Sequence, residues 1–97
     1  MNWHANLCMQ MKKGLSQIQK LVMNNRVYEA IWQLLAFIKS NPEFTYLGND
    51  LRVTYAKLSQ IDEEKRTGIL SYSKYFRQKT KINKTILTIY DKIVDSE

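Results

Sequence analysis

The residues of this 97-residue chain best suited to nucleophilic chemistry are its one cysteine and its one histidine, Cys8 and His4. Their spacing would place both side chains on one face of a helix. A cysteine nucleophile also needs an exposed thiolate and a third group that orients the histidine, and the neighbouring sequence offers no such group. The pattern is more typical of a half-buried cysteine beside a surface histidine. The two residues are also too few for a closed zinc site.

A second group that could do chemistry is the acidic trio Asp62, Glu63 and Glu64. Consecutive residues point in different directions around a helix, and Lys65 and Arg66 follow directly, so the trio predicts a solvated face rather than a metal site or an acid–base pair. The sequence contains no glycine-rich phosphate loop, no His-Glu-x-x-His pattern and no Gly-x-Ser-x-Gly elbow. We therefore predict a protein without enzymatic activity, metal or cofactor.

The strongest electrostatic feature is a run of cations without acids. No acid occurs between Glu64 and Asp91, whereas seven cations do: Lys65, Arg66, Lys74, Arg77, Lys79, Lys81 and Lys84. Tyr72, Tyr75 and Phe76 are interleaved with them, and basic residues with aromatics can bind single-stranded nucleic acid through charge and base stacking. The aromatics also fall on the apolar stripe of the predicted helix, which favours the core instead. An acidic face of another protein would suit the cations as well as a phosphate.

The elements that position these residues are predicted from apolar periodicity. Apolar side chains recur at three- and four-residue spacing in four stretches, at about 6–23, 26–40, 50–66 and 72–94. Three glycines and one proline disfavour a β-sandwich or barrel, which needs many tight turns. Four helices with short connections favour an all-α fold, a compact antiparallel bundle. We predict a single domain over residues 1–97, with residues 1–5 frayed.

The helix ends are predicted from turn-forming residues. Asn24 is expected to end the first helix and Asn25 to cap the second, which makes the pair an antiparallel hairpin. The segment 43–49 contains a glycine and is predicted as either a short helical turn or a loop. Gly68 is expected to end the third helix in the left-handed conformation, and Ser71 to cap the fourth.

The fourth predicted helix has the broadest apolar face in the chain, so we expect it to sit centrally in the core. Its apolar positions are Tyr72, Tyr75, Phe76, Ile82, Ile86, Leu87, Ile89, Tyr90, Ile93 and Val94. On the second helix, Trp32 lies slightly off the main stripe and is predicted either at the edge of the core or as an exposed contact residue.

The formal net charge of +6 favours acidic partners, whether a nucleic acid or an acidic protein face. No apolar run approaches the length of a transmembrane helix or a signal-peptide core, so we expect no membrane partner and, by default, a cytoplasmic protein.

Several segments, taken in order, resemble bacterial effector-associated domains. They are LVMNNRVYEAI at 21–31, Leu34-Leu35 after it, LRVTYAKL at 51–58, GILSYSKY at 68–75 and INKTILTIYD at 82–91. The first is similar to the opening hairpin of that family and the third to its third helix. Segment 68–75 resembles its most recognisable part, and the last its closing helix. The resemblance covers about residues 12–95.

The resemblance implies a small death-domain-like adaptor of bacterial conflict and antiphage systems. Such domains bind like domains on other proteins and so bring sensors together with effectors such as proteases, nucleases or TIR enzymes. The chain departs from the family pattern at Val53-Thr54, Thr80 and Thr85, which bears on partner choice more than on the fold. It carries no effector of its own, so the resemblance implies a stand-alone adaptor or an excised domain.

The leading hypothesis is therefore a non-enzymatic adaptor that self-associates or pairs with a like domain to recruit an effector. Its candidate interaction surface pairs cations with the acids of a neighbouring copy: Lys74, Arg77, Lys81 and Lys84 with Asp62, Glu63 and Glu64. Two alternatives remain, a small basic nucleic-acid-binding protein that uses the same helix, and a phage-encoded inhibitor of a defence system. None of these hypotheses involves a small-molecule substrate.

Overall fold

The computed structural model describes residues 15–96, which form four α-helices and no strand. In chain order these are α1 Gln17–Met23, α2 Val27–Ser40, α3 Thr45–Arg66 and α4 Tyr72–Asp95, with a 3₁₀ turn at Pro42–Phe44 between α2 and α3. The predicted all-α four-helix bundle is confirmed. The part of the first predicted helix before residue 15 lies outside the described residues, as do His4 and Cys8. No described helix has the length and apolar character needed to cross a membrane.

The core is built from one apolar stripe per helix, as the periodicity predicts. On α4 the stripe consists of Tyr75, Ile82, Ile86, Ile89 and Ile93, and all five are buried. Both α2 and α4 pack against each of the other three helices. The largest fully buried side chains are Ile18, Ile31, Leu34, Leu47, Leu51, Leu58 and Ile86. Each such burial stabilises the fold by about 1.5–3 kcal/mol relative to an exposed side chain.

The apolar face of α4 is narrower than predicted. Tyr72, Phe76 and Val94 are exposed by 67%, 59% and 42%, so their assignment to the core is wrong. Tyr72 and Phe76 contact each other, with ring centres 5.9 Å apart, and line an open pocket beside the end of α1. Of the aromatic residues in this part of α4, only Tyr75 is buried.

The turn between α1 and α2 differs from the prediction by one residue. Asn25, not Asn24, takes the left-handed conformation, with φ of 63°. The N–H of Asn25 donates to Val22 O at 3.1 Å and the N–H of Arg26 to Leu21 O at 2.7 Å. These two bonds form a Schellman motif that satisfies the last carbonyls of α1. Asn24 is the C-cap of α1, as predicted, whereas Asn25 follows it in the left-handed conformation and Arg26, not Asn25, is the N-cap of α2.

Helix α3 begins at Thr45, earlier than the predicted start near residue 50. Gly48 does not interrupt it, and this glycine is buried within the helix, close to Ile38 of α2. A Cβ built there would meet Ile38 Cγ2 at 3.9 Å. Farther along α3, Thr54 is buried and Tyr55 is exposed by 37%. The Thr54 hydroxyl is satisfied because it donates to Asp50 O at 2.7 Å.

The connection between α3 and α4 follows the prediction. Gly68 is left-handed, with φ of 80°, and its N–H donates to Lys65 O at 3.2 Å. Ser71 then caps α4, since its hydroxyl oxygen accepts from the N–H of Lys74. This turn sets the start of α4 at Tyr72, and the cations of α4 follow from there.

Candidate functional site

Four of the predicted site residues lie along one side of α4. Lys74, Arg77, Lys81 and Lys84 recur at three- and four-residue spacing, and all four are exposed. Within residues 15–96 the ion pairs are those of Arg26 with Glu29 and of Arg66 with Glu63, so none of the four cations pairs with a carboxylate there. The first turn of α4 contains no acid to complement the helix dipole. This basic face therefore carries charge that intramolecular contacts do not neutralise.

The basic face borders a groove between α3 and α4. Two adjoining parts of about 470 and 490 Å³ share Thr54, Lys57, Lys81 and Thr85 as walls. The second part is also lined by Lys84, with Lys92 beyond it. No aromatic side chain lines either part among the described residues, so the groove offers charge and hydroxyls rather than a stacking surface.

The side chain of Asp62 is half-buried and lies between two tyrosines from different helices. The Tyr28 hydroxyl of α2 donates to its Oδ2 at 2.7 Å, and the Tyr75 hydroxyl of α4 donates to its Oδ1 at 2.7 Å. One carboxylate of α3 thereby joins three helices. Lys65 supplies a nearby cation, with its Nζ 4.4 Å from the centre of the Tyr75 ring. The sequence gives no sign of this network, because its partners are far apart along the chain.

The acidic trio is therefore divided between three environments. Asp62 is half-buried and accepts the two tyrosine hydroxyls, which corrects its assignment to a solvated face. Glu63 is exposed and pairs with Arg66. Glu64 is half-buried and lines the groove near Lys81. Among residues 15–96, no group of acids, histidines or cysteines could hold a metal ion.

Burial and the bond to Asp62 change the titration of both tyrosines. Burial, followed by hydrogen bonding to the carboxylate, raises the pKa of Tyr75 from 10.0 to about 12. The pKa of Tyr28 is raised by the same two causes in the same order. Both effects follow because the tyrosinate would be less solvated than in water and would face a carboxylate.

The part of the free energy of unfolding that these two tyrosines contribute is therefore expected to be lost at alkaline pH. A folded-state pKa raised above the unfolded value stabilises the fold fully below pH 10.0, and that contribution falls as the pH rises through about 12. Tyr28 acts with the same sign. Urea unfolding at a series of pH values up to 12 would measure the decline. Tyr75→Phe lacks the phenol at position 75, so its decline over this range should be shallower, and an identical decline would contradict the assignment.

The exposed aromatics at the start of α4 line a pocket that the sequence did not predict. Its volume is about 360 Å³, and Met23, Tyr72 and Phe76 form its apolar wall. Lys65 and Lys79 stand at its sides, with their Nζ atoms 4.4 and 5.5 Å from the centre of the Tyr75 ring. Asn83 also lines the pocket, and its Oδ1 is buried without a hydrogen-bond partner among residues 15–96.

Trp32 lies on the outer side of α2 and is 57% exposed. The sequence left it between the core edge and a contact position, and the structure places it at the surface. Tyr28, one turn earlier, contacts Tyr55 of α3, with ring centres 5.4 Å apart. Trp32 is therefore a surface residue of α2, whereas the aromatic pocket lies beside α1 and α4.

Comparison with known families identifies the fold. The profile of effector-associated domain 11 matches residues 14–94, which include all four helices except the last residue of α4. The chain belongs to this family. An effector-associated domain indicates an adaptor-type role, with a protein partner, in an effector system. No curated protein and no solved structure matches the chain.

Proposed function

We propose that this effector-associated domain 11 protein is a non-enzymatic adaptor that binds a second copy or a like domain and recruits an effector in bacterial defence. The observation that carries this proposal is the basic face of α4, where Lys74, Arg77, Lys81 and Lys84 are exposed and unpaired within residues 15–96. Uncompensated charge on one face favours an oppositely charged partner and speeds its encounter. Family membership supports a protein as that partner.

The acids that face these cations in our proposal belong to α3 of the neighbouring copy. Asp62 is committed to Tyr28 and Tyr75, so Glu63 and Glu64 are the available members of the trio. The pair that Glu63 makes with Arg66 is exposed, and such pairs contribute only about 0–1 kcal/mol. Exchanging that partner for a cation of another copy therefore costs little. A contact between different faces of two copies is heterologous and builds rings or filaments.

Multi-angle light scattering over a range of protein and salt concentrations tests this proposal. The average mass is expected to rise with protein concentration at low salt and to fall when salt is added, because salt screens exposed charges within about 10 Å at 0.1 M. A pull-down with like domains encoded nearby tests pairing with a different partner. A chain that stays monomeric at high concentration and low salt, and captures no like domain, would contradict the proposal.

A second candidate function, nucleic-acid binding, is favoured by the exposure of Tyr72 and Phe76 beside cations. Exposed aromatic rings can stack on bases, at about 1–3 kcal/mol per base, while lysines contact the phosphates. Titration of labelled single-stranded DNA and RNA would then give a binding constant whose logarithm falls linearly with the logarithm of salt concentration. Absence of binding at low salt would remove this candidate.

A further inference from the structure

The aromatic pocket beside α1 and α4 presents two flat rings to solvent. Tyr72 and Phe76 are exposed by 67% and 59%, and their ring centres lie 5.9 Å apart with the planes tilted by 38°. Met23, which is 83% exposed, completes the apolar wall. Ring faces that are open to water in a pocket are suited to a ligand that stacks, because stacking removes apolar surface of both partners from water.

Two lysines from different helices converge on the same pocket. The Nζ of Lys65, in the last turn of α3, lies 4.4 Å from the centre of the Tyr75 ring, and the Nζ of Lys79, on α4, lies 5.5 Å from it. Within residues 15–96 neither lysine pairs with a carboxylate. Asp62 accepts from the hydroxyl of that tyrosine, but one carboxylate neutralises only one of two cations. Two ammonium groups around one ring repel each other, so an anion bound between them is stabilised.

The combination of open rings and unpaired cations restricts the chemistry of the ligand. A carboxylate side chain of a protein would meet the lysines but leave both rings in water. An apolar side chain would cover the rings but bury the lysine charges without a counterion, which costs free energy. A nucleotide supplies both a planar base and a phosphate. The volume of about 360 Å³ is near the lower end of the range for ligand sites, roughly 300–1,000 Å³, and suits one nucleotide unit.

We propose that the aromatic pocket binds one nucleotide unit, with its base stacked on Tyr72 and Phe76 and its phosphate between Lys65 and Lys79. The unit is a free mononucleotide or one nucleotide of a single strand, since both present the same base and phosphate. For a strand, the inference rests on the second candidate function and names its site, whereas a free nucleotide goes beyond it. None of these four residues belongs to the basic face, so the adaptor contact uses separate side chains.

Titration of the full chain with adenosine monophosphate, followed by amide NMR spectra, measures both the affinity and the place of binding. The amides of residues 23–25 and 72–80 are expected to shift, while those of residues 50–60 on α3 stay in place. Adenosine is the paired ligand, because it keeps the base and lacks the phosphate. Its dissociation constant should be roughly tenfold higher, since the charge-assisted contact with the lysines is missing.

Lys65→Gln with Lys79→Gln tests the phosphate contact. The preference for adenosine monophosphate over adenosine should disappear, while adenosine itself binds about as before because stacking remains. Lys57→Gln with Lys92→Gln is the matched control, since it removes the same charge from lysines that line the α3–α4 groove and not the aromatic pocket. The control should keep the preference. A loss of folding affects both ligands alike and cannot produce this pattern.

Substitution of the exposed rings tests stacking. Tyr72→Ala and Phe76→Ala should each raise the dissociation constants of both ligands by roughly fivefold or more, because stacking on an aromatic side chain is lost. Phe76→Tyr retains a ring and should bind as the parent chain does. Tyr46→Ala is the control, because it removes another exposed aromatic, at 64% exposure, that lies outside the pocket. Its dissociation constants should not change.

A labelled single-stranded oligoadenylate distinguishes the two sources of the nucleotide. Adenosine monophosphate that displaces the oligomer shows that a strand uses the pocket. An oligomer that does not compete, beside a mononucleotide that shifts the pocket amides, identifies the free nucleotide as the ligand. Either result supports the site, provided that the lysine and ring variants weaken binding as expected.

Three outcomes would overturn the inference. Nucleotide binding that survives the pocket variants but is lost in Lys57→Gln with Lys92→Gln belongs to the α3–α4 groove, and the nucleic-acid candidate then stands without this site. Phosphotyrosine that binds more tightly than adenosine monophosphate assigns the pocket to a phosphorylated protein segment. Absence of binding of either nucleotide probe at low salt removes the site together with the nucleic-acid candidate, while the adaptor proposal, which light scattering tests, is unaffected.

Discussion

Replacing Asp62 with alanine is expected to lower the free energy of unfolding by about 3 kcal/mol, because hydrogen bonds to a charged group contribute about 1.5–3 kcal/mol each. Asp62 accepts two such bonds, from Tyr28 and from Tyr75. Tyr75 is buried, so its hydroxyl would be left without a partner in the variant. Tyr28 is only half-buried, and water can replace part of its bond, which keeps the expected loss below the sum of two full contributions.

Urea unfolding of matched variants would measure this loss. Glu63→Ala removes a neighbouring acid whose contact is an exposed ion pair, so its change should stay within about 0.5 kcal/mol. Asp62→Asn keeps one acceptor and the size of the side chain, and it should lose less stability than alanine. If Asp62→Ala were as stable as Glu63→Ala, the two tyrosine bonds would not contribute to the fold.

A double-mutant cycle shows whether the bonds act through Asp62. Tyr75→Phe removes one hydroxyl and should cost about 1–2 kcal/mol in the parent chain, a value near the lower end for a bond to a charged group. In the Asp62→Ala background the same substitution should cost much less, because the hydroxyl already lacks its acceptor. The difference between the two costs is the coupling energy of the pair.

The architecture could be predicted from the sequence because it depends on local periodicity. Stripes such as Ile82, Ile86, Ile89 and Ile93 repeat at helical spacing, and each of these residues is buried. Gly68 and Ser71 were predicted correctly for the same reason, since a left-handed glycine and a capping serine act on adjacent backbone groups. Signals of this kind are contained in a few consecutive residues.

The environment of Asp62 could not be predicted, because it depends on contacts between helices. Asp62, Glu63 and Glu64 are equivalent in the sequence, and only the rotation of α3 in the bundle decides which one meets the tyrosines. Tyr28 lies 34 positions before Asp62, on another helix. The packing of three helices must therefore be known before Asp62 can be assigned to an internal hydrogen-bonded position rather than to the solvated surface.

The aromatic pocket escaped prediction for a related reason. Periodicity places Tyr72, Tyr75 and Phe76 on one broad face of α4, but burial requires a neighbouring helix to cover that face. Only Tyr75 receives such cover, at 7% exposure, while the other two line the pocket beside the end of α1. Periodicity predicts the helix and its apolar face, but it does not show which part of that face a neighbouring helix covers.

These findings separate the residues that maintain the fold from those available to a partner. Asp62 and Tyr75 join helices internally, and substituting them tests stability. The basic face of α4 makes no ion pair within residues 15–96, so substituting its cations tests association with little risk to the fold. The distinction makes a charge-reversal experiment interpretable.

Reversing two charges of the basic face is expected to abolish self-association. Lys74→Glu with Arg77→Glu would place two acids opposite Glu63 and Glu64 of the neighbouring copy, and facing like charges costs several kcal/mol. That corresponds to a dissociation constant raised by about a hundredfold or more. The variant should fold at least as well as the parent, because acids in the first turns of a helix complement its dipole by about 0.3–1 kcal/mol each.

The complementary variant should restore binding. Glu63→Lys with Glu64→Lys supplies the opposite reversal, so each double variant alone is expected to be monomeric. An equimolar mixture is expected to associate again, with the two variants alternating in the assembly, which light scattering would detect as a rise in average mass. Lys20→Glu with Lys39→Glu is the control, because it changes the net charge equally on exposed positions of α1 and α2. Association lost equally in this control would indicate a general charge effect. Failure of the mixture to associate would show that these faces do not meet, because only direct contact makes the two reversals compensate.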